Sequence, residues 1–511
     1  MEPAIRLENV TKTFGDVTAN DKVSLVIERG EILAVLGENG SGKTTLMNII
    51  SGIYFPDSGH IFVDGREVTI RSPRDAFDLG IGMIHQHYKL VEVLTASENI
   101  ILGLPGKAKL DRRKIADDVA QISDRYGFGL NPRKKVYDMS ISEKQTVEII
   151  KTLYRGASIL ILDEPTAVLT PQETEKLFSV LRNMRDDGKA IVIITHKLHE
   201  VMAVSDKVAV LRKGEYIGMV NTSETSPQKL TEMMVGRAVS LNIERPEPEP
   251  TGIRLDLRNV TCLNEEAFPV LDDVSLSAFG GEILGIAGIA GSGQRELCEA
   301  IAGLCPVKSG AIDYYPPDGG SPEDLVGRTP LEIRRLGVAL SFVPEDRLGM
   351  GLVAGMDMVN NMMLKGYRRG RGIFADRRQP KRLAEDIIQQ LEVVTPGVST
   401  PVRKLSGGNV QKVLVGREIS SAPAVLIAAY PVRGLDINSS YTIYRLLTEQ
   451  KMQGVAVIFI GEDLDVLLEL CDRVAVLCGG KVNGIVDARS STKEEVGLLM
   501  THLSGTGGGE V

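Results

Sequence analysis

Short apolar runs recur along the chain, each closed by glycine or by charge. Ile32-Leu33-Ala34-Val35-Leu36, Ile159-Leu160-Ile161-Leu162 and Ala190-Ile191-Val192-Ile193-Ile194 have the length of buried strands. Gly80-Ile81-Gly82-Met83-Ile84 reads the same way and runs into His85-Gln86-His87. Ile5 to Val10 reads as a further strand, and Ile61-Phe62-Val63 meets the turn Asp64-Gly65, a hairpin signal. Between these runs the period changes. Leu46, Ile49 and Ile50 fall at helical spacing just after the first buried strand, and 95–136 is helical and charged. The pattern predicts α/β folding around a mainly parallel sheet.

The pattern also occurs twice. Leu7-Glu8-Asn9-Val10-Thr11 is echoed by Leu257-Arg258-Asn259-Val260-Thr261, and Gly30-Glu31-Ile32-Leu33 by Gly281-Glu282-Ile283-Leu284. Gly37, Gly40 and Gly42 recur as Gly288, Gly291 and Gly293. Between the copies, Glu244 to Pro250 alternates proline with charge, which predicts a stiff, extended linker. Two tandem domains of one type are expected, at 1–240 and 253–503. A Pro/Glu linker at 241–252 joins them, and a flexible tail at 504–511 follows.

The chemistry begins where the first buried strand ends. Gly37-Glu38-Asn39-Gly40-Ser41-Gly42-Lys43-Thr44-Thr45 fits G-x-x-x-x-G-K-S/T at every fixed position. Strand, glycine turn and helix are the context a phosphate-binding loop needs. Glycines let backbone N–H groups turn inward around phosphate oxygens, and the helix start adds its positive dipole end. Lys43 is expected to reach the β/γ-phosphates and Thr44 to hold Mg²⁺. The strand at Ile159 runs into Asp163-Glu164-Pro165-Thr166, so both acids sit at a strand's C-terminal end, where parallel sheets bind ligands. Asp163 is expected to hold Mg²⁺, directly or through water, and Glu164 to orient and deprotonate the attacking water. A third such strand ends at Thr195-His196, which gives His196 a γ-phosphate role. Phe14, upstream of the loop, either stacks on an adenine or belongs to the core.

The second copy has lost most of this. Gln294 stands where Lys43 stands, Arg295 for Thr44, Ala429 for Asp163, Tyr430 for Glu164 and Glu462 for His196. Loss of a general base alone typically costs about 10²–10⁴ in rate. Elsewhere the second copy is the better one. Leu405-Ser406-Gly407-Gly408-Asn409 opens a helix, and the Ser406 hydroxyl with the N–H groups of Gly407 and Gly408 forms a second anion cradle. Its counterpart, Met139-Ser140-Ile141-Ser142-Glu143, has no glycine. The defects are complementary.

Composition narrows the class. The 511 residues suit two to four domains, and 43% hydrophobic with 25% charged residues is a soluble globular balance. A net charge of −8 argues against a protein that coats nucleic acid. No apolar run approaches the roughly 18 residues of a membrane span, and no signal peptide is expected at the N-terminus. Cys262, Cys298, Cys305, Cys471 and Cys478 form no C-x-x-C and read as buried thiols in a reducing cytosol.

Taken together, the motifs resemble the ATP-binding subunits of ABC transporters over nearly the whole chain. Gly37–Thr44 is similar to the family's Walker A, Gln86 to its Q-loop, Ile159–Asp163 with Glu164 to its Walker B, and His196 to its H-loop. Leu405–Asn409 resembles the LSGGQ signature except at Asn409. Ile141, Ser142 and Tyr430 depart from the family pattern. The fusion of two such domains resembles the simple-sugar and nucleoside import branch. Gly285-Ile286-Ala287-Gly288, Val343-Pro344-Glu345-Asp346-Arg347 and Leu426-Ile427-Ala428-Ala429 look closest to nucleoside importers that use a basic-membrane-protein-type lipoprotein.

The resemblance implies two tandem P-loop NTPase domains, α/β, each with a mainly parallel core sheet, an antiparallel edge sheet and a helical subdomain. It implies ATP sandwiched between the Walker A of one domain and the signature of the other. One competent site then combines Phe14, Gly37, Asn39, Gly40, Ser41, Gly42, Lys43, Thr44, Thr45, Gln86, Asp163, Glu164 and His196 with Ser406, Gly407 and Gly408. In that site Thr44, Gln86 and Asp163 serve Mg²⁺, and Glu164, His196 and Gln86 serve catalysis. The other site is poor on both faces. The implied function is ATP hydrolysis driving nucleoside import at the cytoplasmic face of the cell membrane. Two transmembrane permease subunits would be direct partners and an extracytoplasmic substrate-binding lipoprotein an indirect one. No nucleic acid is implied, and membrane contact would run through the permease. Import of a pentose or hexose is the nearest rival; a soluble tandem ATPase acting on ribosomes or DNA, and a nucleotide-sensing scaffold, are others. Met350 to Lys365 is either core or a permease-docking groove. The run Arg368, Arg369, Arg371, Arg377, Arg378, Lys381 and Arg382 is either a solvated loop or a contact with anionic headgroups.

Overall fold

The computed structural model describes residues 2–15, 17–38, 40–85, 89–104, 111–166, 169–195, 197–236, 243–249, 251–264, 266–289, 291–342, 351–364, 376–420, 423–433, 435, 437–461 and 463–501, with the backbone alone at 339–342 and 438. It divides into two compact units, Met1–Ser240 and Leu241–Val511.

In the first unit the expected buried strands form one six-stranded sheet. Its order is Glu215–Asn221, Lys207–Arg212, Glu31–Leu36, Ala190–Ile194, Ile159–Asp163, Ile81–Ile84. All neighbours are parallel except the first pair. Strands buried on both faces need continuous apolar runs, and the runs at Ile32, Ile159 and Ala190 are almost wholly inaccessible. A separate antiparallel sheet of four strands, Val17–Ile27, Ile5–Phe14, Ser58–Val63 and Arg66–Val68, covers one face. Leu46, Ile49 and Ile50 of helix Lys43–Ile50 pack with Ile5, Leu7 and Ile161 in the core between them. The other face meets Val119 and Tyr126 of helix Arg112–Tyr126 and Val147 and Ile150 of helix Ile141–Tyr154. This connectivity sets the C-terminal ends of the strands at Glu31, Ile159 and Ala190 side by side.

The second unit repeats the plan. Its six-stranded sheet runs Val338–Phe342, Val425–Ala429, Ala456–Ile460, Ile283–Ala287, Arg473–Cys478, Lys481–Asp487, the same order as the first read from the other edge. The proline/charge segment lies on this unit over 243–249. The Arg245 guanidinium donates to the carbonyls of Leu468 and Cys471 at 2.7 and 2.6 Å, at the end of helix Leu464–Leu470. The Lys451 ammonium joins the Pro246 carbonyl (2.7 Å) to Asp472 (2.8 Å), and Arg489 pairs with Glu247 at 2.8 Å.

Met358 and Met362 are core residues, whereas Met356 is exposed. Arg377, Arg378, Lys381 and Arg382 are exposed around the start of helix Arg378–Gln390. Met350, Lys365, Arg368, Arg369 and Arg371 lie outside the described residues. The five cysteines form no disulfide, and all but Cys305 are buried.

Candidate active site

The phosphate loop follows strand Glu31–Leu36 directly. A Cβ on Gly37 would sit 2.3 Å from the Leu211 carbonyl oxygen and from Ser41 Oγ. Gly42 caps helix Lys43–Ile50 at φ 96°, and a Cβ there would meet the Ala19 carbonyl oxygen at 2.2 Å. Only glycine fits either place. Two bonds fix the peptides between them. The Ser41 carbonyl accepts from the Gly214 N–H at 3.1 Å, and the Gly42 carbonyl accepts from Asn20 Nδ2 at 3.1 Å. A peptide's C=O and N–H point in opposite directions. Tying those carbonyls to the scaffold therefore turns the N–H groups of Gly42 and Lys43 away from it, the arrangement of an anion cradle.

Lys43 is buried and folded over its own loop, donating to the carbonyls of Gly37 (2.7 Å) and Glu38 (2.9 Å). Burial lowers its pKa, against the opposing pull of Glu164, Asp163 and Glu38. Thr44 is exposed on the first helical turn and Thr45 half-buried beside it.

Asp163 ends its strand opposite Ile194. Glu164 then turns with φ 46°, a left-handed conformation that costs a non-glycine residue roughly 1–2 kcal/mol, while its N–H donates to the Ile194 carbonyl at 2.8 Å. The Asp163 carboxyl is pushed up to about 6, first by burial and then by the Glu164 charge, with Lys43 acting the other way. Lys43, Asp163 and Glu164 are thus brought together. Crowded carboxylates beside a hydroxyl-bearing first turn are the hard oxygen donor set that suits Mg²⁺, and the glycine cradle suits phosphate. Gln86, His196 and Asn39 lie outside the described residues.

Phe14 is 44% exposed near the tip of its hairpin. It stands edge-to-face with Tyr54 at 5.2 Å, with the Lys12 ammonium over its ring at 5.5 Å. The core alternative for Phe14 is therefore excluded.

The second copy keeps this backbone and changes the groups on it. Gly291 and Gly293 have φ 86° and 102°, and the Gly480 N–H donates to the Ser292 carbonyl at 3.1 Å, as Gly214 does to Ser41. Gln294 is buried and folds back onto the Ile289 carbonyl at 3.1 Å, and Arg295 pairs with Glu299 at 2.7 Å. Tyr430 repeats the left-handed turn at φ 51° and donates to the Ile460 carbonyl at 2.9 Å. A buried glutamine holds the next carbonyl in each copy: Gln145 on Pro165 at 2.7 Å, Gln411 on Pro431 at 3.0 Å. Leu271, however, stands beside Gly293 where Asn20 stands beside Gly42.

The two signature helices differ in charge. Ser140 caps helix Ile141–Tyr154 in a reciprocal box with Glu143, whose carboxylate accepts from the Ser140 N–H at 2.8 Å, and Ile141 is 43% exposed. Ser406 caps helix Gly407–Ile419 with neutral Asn409, and a Cβ on Gly408 would meet nothing within 4 Å. The first helix start is already occupied by an ion pair, because the Lys134 ammonium donates to both Glu143 carboxylate oxygens at 2.8 and 2.7 Å, whereas the second is neutral and open.

Asn20, Gly214 and Gln145 escaped the sequence reading. The Asn20-for-Leu271 exchange between the copies was the available signal for one of them.

The ABC transporter family model matches residues 20–167 and 271–432, one span in each unit. The nucleoside import ATP-binding protein NupA of Lactococcus lactis subsp. cremoris is 41% identical over 504 residues, covering 98% of each chain. The guanosine import ATP-binding protein NupO of Bacillus subtilis is 42% identical over 506 residues, again 98% of each. The glucose import ATP-binding protein TsgD13 of Haloferax volcanii is 39% identical over 544 residues, 100% of this chain and 96% of that one. With a phosphate loop and the end of an acidic strand, or its altered copy, inside each matched span, this chain belongs to the ABC transporter family and carries two of its ATPase domains in tandem.

Proposed function

We propose that the first unit hydrolyses ATP to drive import of a nucleoside through separate membrane subunits. The observation that carries this reading is the meeting of Lys43, Asp163 and Glu164 at the C-terminal edge of a parallel sheet, above a glycine loop. Gly37, Asn39, Gly40, Ser41, Gly42 and Thr45 frame the phosphates with loop and first-turn groups. Lys43 exchanges its two carbonyl partners for phosphate oxygens. Thr44, Asp163 and Gln86 would hold Mg²⁺, which would supply neutralisation of phosphate charge. Glu164 takes the proton of the attacking water, His196 binds the γ-phosphate, and Phe14 offers its exposed ring to the base. Ser406, Gly407 and Gly408 present a neutral helix start to phosphate.

The nucleoside assignment is supported by two relatives above 40% identity named for nucleoside or guanosine import. The glucose relative at 39% and a ribose one at 38%, from Rubrobacter xylanophilus, keep a simple sugar as the second reading. Among the described residues no helix is long and apolar enough to cross a membrane. We place the chain at the cytoplasmic face, joined to two permease subunits and served by an extracytoplasmic binding lipoprotein.

Glu164→Gln tests the reading. The amide keeps shape and polarity but cannot accept the water's proton. Nucleotide binding should persist while steady-state hydrolysis falls about 10²-fold or more. Turnover within about threefold of the parent would overturn the assignment. Uptake of labelled guanosine against ribose by the assembled transporter separates the two substrates.

A further inference from the structure

We propose that Glu200 is a positioning residue for hydrolysis, tying the turn that carries Glu164 to Thr195 and Lys197, the residues that flank His196 in the sequence. The inference rests on the reading of Glu164 as the base. Glu200 lies in helix Leu198–Val204, which follows strand Ala190–Ile194. Its Oε2 accepts from the Thr166 hydroxyl at 2.5 Å and from the Thr195 hydroxyl at 3.3 Å. Thr166 stands two places after Glu164, and Thr195 immediately precedes His196. Lys197, on the other side of His196, has its ammonium 3.1 Å from Glu200 Oε1. The same ammonium donates to the Thr166 carbonyl at 3.3 Å, and the Lys197 N–H donates to Thr195 Oγ1 at 3.1 Å. Thr166 and Thr195 are 2% and 3% exposed.

One carboxylate therefore closes a ring of bonds between two strand ends, Asp163 and Ile194, that are neighbours in the sheet and 31 residues apart in sequence. Hydrogen bonds to an ionised acceptor are shorter and about twice as strong as neutral ones, so the ring is stiff. Stiffness matters here because a base must stand within hydrogen-bond reach of the attacking water, and a displacement of about 1 Å can cost about 10²-fold.

The second copy supplies an internal control. At the matching places it has Val432, Gly461, Asp463 and Val466 in place of Thr166, Thr195, Lys197 and Glu200. The surrounding scaffold is the same: helix Leu464–Leu470 follows strand Ala456–Ile460, and Tyr430 makes the same turn and the same bond to Ile460. The turn thus folds without the ring. All four members are gone from the copy in which Glu164 and His196 have also been replaced, which ties the ring to the reaction rather than to the fold.

The test uses the whole chain, with Glu200→Val and Thr166→Val each importing a residue of the second copy, together with their double variant and Glu200→Gln. ATP hydrolysis gives kcat and KM, a fluorescent ATP analogue gives Kd, and a melting curve reports folding. Glu200→Val should lower kcat about 10- to 100-fold with the analogue's Kd within about threefold. Thr166→Val should lose less, and the double variant no more than Glu200→Val, because both changes break one ring. Glu200→Gln, which keeps an acceptor, should recover most of the rate. A kcat within about twofold of the parent in Glu200→Val overturns the proposal. So does a loss of rate matched by an equal loss of nucleotide binding. If Glu200→Val fails to fold, Thr166→Val decides: a lowered kcat with unchanged Kd supports the ring, and an unchanged kcat overturns it. Glu164→Gln measured alongside separates the two claims. If it still turns over, the reading of the base fails; if it stops while Glu200→Val runs at full rate, only the present inference fails.

Discussion

Among their described residues, the loops at Gly37–Thr44 and Gly288–Arg295 share their glycine conformations and a carbonyl tie but almost none of the same chemistry. Both place glycines in left-handed conformations, and both turn a serine carbonyl onto a glycine N–H at 3.1 Å. Further along, Glu164 and Tyr430 share a strained turn, and Gln145 and Gln411 pin the carbonyl that follows it. What differs is the set of groups that face a ligand: Lys43 against Gln294, Asp163 against Ala429, Glu164 against Tyr430. Features shared by both copies are those the fold requires. The left-handed φ at Tyr430 persists without a carboxylate, so backbone strain at this turn is a property of the scaffold and not by itself a mark of catalysis. The groups present in one copy alone are the ones that answer to function.

The widest split between the copies should appear at the loop cations. Lys43→Ala removes the only ammonium of its loop, and loss of one preorganised donor to developing negative charge costs about 10²–10³ in rate. Gln294→Ala removes an amide whose bond is to its own loop carbonyl at 3.1 Å, and hydrolysis should stay within about threefold of the parent. Equal losses would break the comparison by making the second loop a working partner in turnover.

How much of this could be read beforehand follows the range of the interactions. The phosphate loop and the acidic strand end were legible because each requirement is met within a few residues: a glycine where no Cβ fits, a carboxylate at the end of an apolar run. Asn20 and Glu200 were not. Asn20 reaches Gly42 across 22 residues, and Glu200 reaches Thr166 across 34, and neither lies in a local pattern. The segment around Arg245 reads as extended from its prolines. Its fastening depends on carbonyls 223 and 226 residues away, which composition cannot report. Phe14 and the methionines of 350–365 were ambiguous for a related reason: an apolar side chain shows its preference for burial but not whether a partner is available. Phe14 is exposed, while Met358 and Met362 are core.

A smaller contrast is expected between the signature serines. At Ser406 the helix start is neutral and open, and at Ser140 the Glu143 carboxylate, paired with Lys134, already occupies it. Ser406→Ala should lower hydrolysis about 10- to 150-fold, the rate equivalent of one hydrogen bond to a charged group worth roughly 1.5–3 kcal/mol. Ser140→Ala should cost little. Replacing Glu143 with Gln in the Ser140 background sharpens the point: if Ser140→Ala matters only after Glu143→Gln, the carboxylate is what silences that helix start. Equal losses at Ser140 and Ser406 in the assembled transporter would remove the asymmetry altogether.

The remaining contrast is in stability, and it has the opposite sign to the effect on activity. The Asp163 carboxyl is held at about 6 by burial and by Glu164, whereas the same group unfolded sits near 3.8. Below about pH 4 it is protonated in both states and contributes nothing. Between about 4 and 6 the folded chain keeps a proton that the unfolded chain has released, so the stability due to this group falls as pH rises. Above about 6 it is ionised in both, and the folded state carries the whole burden, of order 1–3 kcal/mol at about 1.4 kcal/mol per unit. Asp163→Asn keeps the shape and removes the charge. In metal-free buffer at pH 7.5 it should stabilise the first unit by about that amount and make almost no difference at pH 4, while abolishing hydrolysis. Ala429, fully buried at the matching place, already lacks the charge, and Ala429→Asp should lower stability over the same pH range. Calorimetric melting of the whole chain with chelator at the two pH values checks both signs. A gain for Asp163→Asn that is equal at pH 4 and pH 7.5 would trace it to packing, and the first copy would then bear no electrostatic cost that the second copy lacks.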